Sequence, residues 1–207
     1  MENIFPMKNF AEDMGITGHL TIIRKWNTGD EEVLLDDSNI IVSGMGVGLS
    51  YLFTGSGSDS ILDYQIDRFQ VGVSGPPAGG VTSAINQLSG QLSDSQYGTD
   101  SNLFISVNSQ IVANSLISNR AFALIPGNKV TRIGNSSVRY TLVLDEEACN
   151  NLQGDSSEDL NINEIGMFMK NPTAANDDRS ILVCYRTFSN IRKTSDFSLI
   201  FRWTLNF

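Results

Sequence analysis

Asn163-Glu164-Ile165-Gly166-Met167-Phe168-Met169, then Ile181-Leu182-Val183-Cys184-Tyr185-Arg186-Thr187-Phe188, then Phe197-Ser198-Leu199-Ile200-Phe201-Arg202-Trp203-Thr204-Leu205-Asn206-Phe207 close the sequence. Each run is rich in β-branched and aromatic residues, and turn-forming residues separate them, which predicts three successive strands. The last run decides the fold class. Phe197, Leu199, Phe201, Trp203, Leu205 and Phe207 share one parity, while Ser198, Ile200, Arg202, Thr204 and Asn206 share the other. A strand alternates its side chains with period two, so one face is apolar and the other mostly polar. A run ending on Phe207 carries the expectation that this end is locked into the core or into a neighbouring subunit.

Working back toward the start, similar signals recur. Ile16 to Trp26, Glu31 to Leu35, Tyr64 to Val73, Leu103 to Leu116, Asn119 to Ile125, Lys129 to Ile133 and Ser137 to Leu144 read as strands. Asn27-Thr28-Gly29-Asp30, Pro126-Gly127-Asn128 and Gly134-Asn135-Ser136 read as turns between them. Asp36-Asp37-Ser38-Asn39 offers side-chain oxygens that can cap a first helical turn. Ile40 to Phe53 follows with Ile40, Ile41, Met45, Leu49, Leu52 and Phe53 at helix-compatible spacing. Gly44, Gly46 and Gly48 weaken that helix by about 1 kcal/mol each and point to close backbone packing. Residues 74–102 are the most irregular, with Val81 to Leu92 a short helix or a loosely paired segment. Asp145 to Asp159 is an acidic loop with room for one helical turn near Glu146–Asn150. Residues 170–180 read as an exposed loop. The expected architecture is all-β: an antiparallel, jelly-roll-like β-sandwich over residues 16–207 with one short helix and long loops. Residues 1–15 are expected to form an N-terminal docking arm, because Ile4, Phe5, Met7, Phe10 and Met14 are apolar surface in need of cover.

The totals bound the function. The chain has 207 residues, 41% hydrophobic and 18% charged, with 14 basic against 23 acidic residues and a net charge of −9. A core is affordable at this length without metals or disulfides. The acidic balance repels phosphates and anionic lipids, so nucleic acid and membrane are not expected as partners. The start lacks a basic-then-apolar signal pattern, and no apolar run approaches the ~20 residues of a membrane span. A soluble protein made in a cytosol is expected. Cys149 and Cys184 form no ligand motif and are expected as free, mostly buried thiols.

Candidate chemistry is sparse. His19 is the one histidine and lies in a predicted strand with no partner motif, so a structural role is expected. Gly55-Ser56-Gly57-Ser58-Asp59-Ser60 lacks the lysine of a phosphate-binding loop, and no nucleophile-elbow context occurs. The acidic clusters Asp30-Glu31-Glu32, Asp36-Asp37, Asp145-Glu146-Glu147, Asp155 with Glu158-Asp159, and Asp177-Asp178 sit at turns, where solvated acids are the default. A paired-carboxylate glycosidase remains an alternative on sequence alone. A calcium loop is missing. Glu164, between apolar residues at a strand start, is expected to accept from nearby amides or to pair with an arginine. No catalytic, cofactor-binding or metal-binding residue is assigned, and no cofactor is expected.

Asn163-Glu164-Ile165-Gly166-Met167-Phe168, then Leu182-Val183-Cys184-Tyr185-Arg186-Thr187-Phe188, then Ile191-Arg192-Lys193-Thr194 and a final alternating strand, resembles a pattern in tailed-bacteriophage virion structural proteins. Upstream, Ser38-Asn39-Ile40-Ile41-Val42-Ser43-Gly44, Phe69-Gln70-Val71-Gly72-Val73-Ser74-Gly75 and Thr99-Asp100-Ser101-Asn102-Leu103 resemble the same family's layout in order. The matches span roughly residues 38 to 207. The resemblance implies a β-sandwich tail-fibre, collar or baseplate-associated domain that forms homo-oligomers, contacts other virion proteins and carries no catalytic residues. It implies a virion location after synthesis in a host bacterial cytoplasm. No shaft, repeat or receptor-binding tip is visible, which favours a tail, neck or baseplate adaptor, or a fibre-associated protein. One alternative is a capsid decoration protein. Another is a carbohydrate-binding attachment module, although Tyr51, Tyr64 and Tyr97 are scattered and Trp26 and Trp203 fall in strands.

Overall fold

A computed structural model describes residues 15–54, 65–77, 84–85, 87–90, 92, 104–107, 120–154, 157–169 and 180–207. The first sheet has the order β2 (Glu31–Ser38), β1 (Thr17–Trp26), β11 (Phe197–Asn206), β8 (Ser137–Leu144), β7 (Val130–Arg132). The second has the order β3 (Ile40–Ile41), β10 (Ile181–Ile191), β9 (Ile162–Met169), β4 (Ile66–Gly72), β6 (Arg120–Leu124), β5 (Phe104–Val107). Every pairing is antiparallel. Among the described residues one α-helix, α1 (Ser43–Thr54), lies against β10. The expected all-β sandwich with a short helix is the observed fold.

The strand that organises the first sheet is β11. It pairs with β1 from Thr17↔Asn206 to Trp26↔Phe197, and with β8 from Leu199↔Leu144 to Asn206↔Ser137. Its apolar parity is the core parity: Leu199, Phe201, Trp203 and Leu205 are fully buried. Directly paired residues share a face, so Leu20, Ile22, Leu142 and Leu144 are carried inward with them. They meet Phe69, Val71, Ile165, Met167 and Val183 of the second sheet in one cluster. Phe69 and Phe201 face each other across the sandwich at 6.4 Å between ring centroids.

In the second sheet, β9 is buried on both sides. Ile165, Met167 and Met169 of β9 face the main core, while Phe168 joins a separate cluster with Val42, Leu88, Leu182 and Tyr185. Between Leu182 and Cys184 the pairing slips, so β10 carries one extra residue against β9. Such a bulge breaks strict alternation. It places both Val183 and Cys184 in the main core, with Leu182 and Tyr185 on the outer cluster.

Three expectations need correction. Asp36, Asp37 and Ser38 are not helix caps; they finish β2. There Asp36 accepts from Thr21 Oγ1 and bonds His19, and Asp37 accepts from the Ser38 amide and Arg186. The helix begins at Ser43 rather than Ile40, because Ile40 and Ile41 pair with Tyr185 and Cys184 as β3. Of the two places expected for Phe207, the core is not the one: its amide donates to Ser136 O at 2.9 Å, but the residue is 51% exposed. The described part of 81–92 forms no helix or strand, yet Leu88 and Leu92 are buried. The arm at 1–14, the loop at 55–60 with Tyr64, the segment 99–103 with Tyr97, residues 108–116 and Asp177-Asp178 lie outside the described residues.

Candidate functional site

The motif residues that are far apart in sequence meet on the outer face of the second sheet. Strands β10, β9 and β4 are neighbours, so Tyr185, Glu164 and Gly72 come together. The Glu164 side chain is completely buried. Its Oε1 accepts from the Gly90 amide at 2.7 Å, and its Oε2 from the Ser89 amide at 3.0 Å and from Tyr185 Oη at 2.6 Å. A carboxylate can only accept, and three donors converge on it. Burial, reinforced by the Glu164 hydrogen bond, holds the Tyr185 phenol well above its ordinary value of 10.0. The expectation that Glu164 accepts from amides is met, and among the described residues no arginine pairs with it.

Glycines make this closure possible. A Cβ on Gly72 would stand 2.5 Å from Glu164 Oε1 and 2.8 Å from Gly90 O. One on Gly75 would press on Glu164 and on Asn163 O, and the Gly75 amide instead donates to Asn163 Oδ1 at 2.9 Å. Val73 N donates to Gly90 O at 2.9 Å. The arrangement fastens residues 73–75 and 89–90 over the sheet. It encloses the carboxylate away from solvent, so its chemistry is to satisfy backbone donors.

The other sequence candidates are separate from this hub, and of these His19 and Asp36 meet each other. His19 is half-exposed and bonds Asp36 Oδ1 at 2.9 Å on the first sheet. The Thr21 hydroxyl, then His19, hold Asp36 below the ordinary carboxylate value, and the Ser38 amide, then Arg186, do the same for Asp37. Glu32 pairs with Arg24 at 3.0 Å and Asp159 with Arg192 at 2.8 Å. Asp145 Oδ1 accepts from the Glu147 and Ala148 amides, both at 3.0 Å, and closes a non-helical turn in place of the helical turn expected at 146–150, with Cys149 at φ 57°. Cys149 and Cys184 are free and buried, and burial pushes both thiols well above their ordinary value. Among the described residues no three or more His, Cys, Asp or Glu side chains gather as a metal site. No described helix is long and apolar enough to cross a membrane.

Two features escaped the sequence reading. Lys193 is nearly fully buried, donating to Asn150 Oδ1 at 3.0 Å and to Thr194 O at 2.9 Å; burial lowers its pKa. Helix α1 carries no charged residue along Ser43–Thr54. Only Met45 and Gly48 are buried, while Phe53 is 80%, Val47 46% and Leu52 38% exposed. Its hydroxyls turn inward: Ser50 Oγ donates to Val47 O and Thr54 Oγ1 to Ser50 O, both at 2.7 Å. The signal was available in the sequence as a helix without a polar stripe.

Set against family models, curated proteins and solved structures, the chain matches none of them.

Proposed function

We propose that this protein is a non-enzymatic structural component of a tailed-phage virion, a tail, neck or baseplate adaptor or fibre-associated protein that works by protein–protein contact. The observation that carries the assembly role is α1. An uncharged helix with Phe53, Val47 and Leu52 in solvent is surface of the kind that a partner covers. The motif residues behind the family resemblance lend a second support. Asn163, Glu164, Gly72, Gly75 and Tyr185 form a buried fastening rather than a reaction centre, as suits a protein whose task is to hold a shape.

Light scattering on the purified protein tests the reading. A defined homo-oligomer is expected, and Val47→Ser with Phe53→Ser should lower its mass while leaving the β-sheet circular dichroism unchanged. A monomer at every concentration, with α1 variants indistinguishable from the parent, would remove the support for assembly.

A further inference from the structure

Trp26, the last residue of β1, lines a groove of about 370 Å³ with Asn27, Thr28, Asp30 and Asp196. The groove lies between two turns that are tied together. Gly29, at φ +95°, allows the tight reversal in which Trp26 N donates to Asp30 O at 2.9 Å. Asn27 then reaches the connection between β10 and β11: its amide donates to Asp196 O and its Nδ2 to Ser195 O, both at 3.1 Å. The indole is held edge-on to Phe197, with 5.2 Å between centroids. The walls are thus preformed, which spares a ligand the cost of ordering them.

The lining specifies the ligand class. Thr28 Oγ1 occupies Asp30 Oδ2 at 2.8 Å, and Thr194 Oγ1 occupies Asp196 Oδ2 at 3.0 Å. The second oxygen of each carboxylate is left to accept from a visitor. An aromatic body beside several acceptors suits a molecule with an apolar C–H face and a rim of hydroxyl donors. Anions fit less well, because they would meet Asp30 and Asp196. A planar cation finds one approach to the rings taken: the Arg24 guanidinium sits 5.2 Å from the Trp26 ring centre and 4.8 Å from that of Phe197, and Lys193 Nζ lies 5.2 Å from Phe197. A flat apolar ligand would leave the acceptors without donors.

We propose that this groove binds one ring of a neutral carbohydrate, with Trp26 against the C–H face and Asp30 and Asp196 accepting its hydroxyls. The volume falls at the small end of ligand sites, so binding is weak and improves only if several copies present the groove together. The site does not depend on the assembly role: a monomer could carry it.

The test uses the full chain and saturation-transfer NMR with neutral methyl pyranosides and N-acetylglucosamine. Glucuronate and a lysine ester serve as charged comparisons. Tryptophan emission gives a second readout, since Trp203 is fully buried and only Trp26 borders the groove. Saturable binding of a neutral ring with Kd on the order of 1 mM is expected, weakened about tenfold in Trp26→Ala and in Asp196→Ala. Trp26 also packs on Phe197, so the exposed Asp30→Ala is the variant that keeps the test valid if Trp26→Ala fails to fold. The proposal is overturned by the absence of saturable neutral binding, by saturation with a charged probe alone, or by affinity unchanged in the carboxylate variants.

Discussion

The outer faces of the two sheets are built differently. On the first sheet, β2 stands at an edge with every residue exposed or half-exposed, and His19, Lys25 and Arg202 point from β1 and β11 into solvent. On the second, β9 keeps every residue but Asn163 buried, because Val42, Leu88 and the chain at Ser89-Gly90 cover its outer face. Covering a sheet with irregular chain brings backbone amides out of water, and each needs an acceptor. Glu164 supplies it. The first sheet buries one apolar parity and leaves its cross-strand polar pairs in water; β9, covered on both sides, needs a buried carboxylate to fasten its cover. Burying that group is tolerable only because it is fully bonded.

The largest expected effect lies in the shared core. Phe201→Ala removes a fully buried ring that touches both sheets, and should cost about 4 kcal/mol in urea unfolding. A loss under half of that would mean the sheets do not share one core. Next is Glu164→Ala, which strands two amides and a phenol. It should cost about 3 kcal/mol, with near-ultraviolet signals of the first sheet retained, since only the second sheet is fastened this way. An equal disturbance of Trp203 would erase the contrast.

Alkaline pH probes the buried thiols. Burial raises Cys149 and Cys184 above the ordinary 9.0. A folded pKa above the unfolded one means that the stability these groups contribute is fully present below pH 9.0. It is lost as pH rises, because the unfolded chain releases its thiol protons first. Each should steepen the decline by up to about 1.4 kcal/mol per pH unit, and Cys184→Ala should remove one share of the slope. Lys193, held low by burial, acts in the opposite sense below 10.5, so the slope is best read as a difference between variants. The smallest effect is Tyr185→Phe, at about 1 kcal/mol: Glu164 loses one donor of three but keeps both amides. A change as large as Glu164→Ala would move the fastening from the amides to the phenol.

How far the sequence foretold this follows from the same contrast. β11 and β1 were legible because each exposes one face, so polar and apolar residues alternate along them. β9 was legible as a strand from its run of apolar residues, but a sheet buried on both sides leaves no alternation to say what covers it. The bulge at Val183 hid the inward and outward assignment of β10. The start of α1 was misplaced because Ile40 and Ile41 fit either a helical face or a short strand, and pairing with β10 decided between them. Glu164 stood out as an acid among apolar neighbours, yet its donors Ser89 and Gly90 lie about 75 residues away in sequence, and no local pattern connects them. Trp26 looked like any strand aromatic, because only the tie between two distant turns makes its groove.

Hydrogen exchange at the Ser89 and Gly90 amides tests the central claim most directly. The account predicts that both exchange as slowly as the amides of β9, and that in Glu164→Gln they speed up while the β1 and β11 amides keep their protection. Fast exchange in the parent protein, or slow exchange unchanged in the variant, would contradict the account of Glu164 as the fastening of the covered sheet.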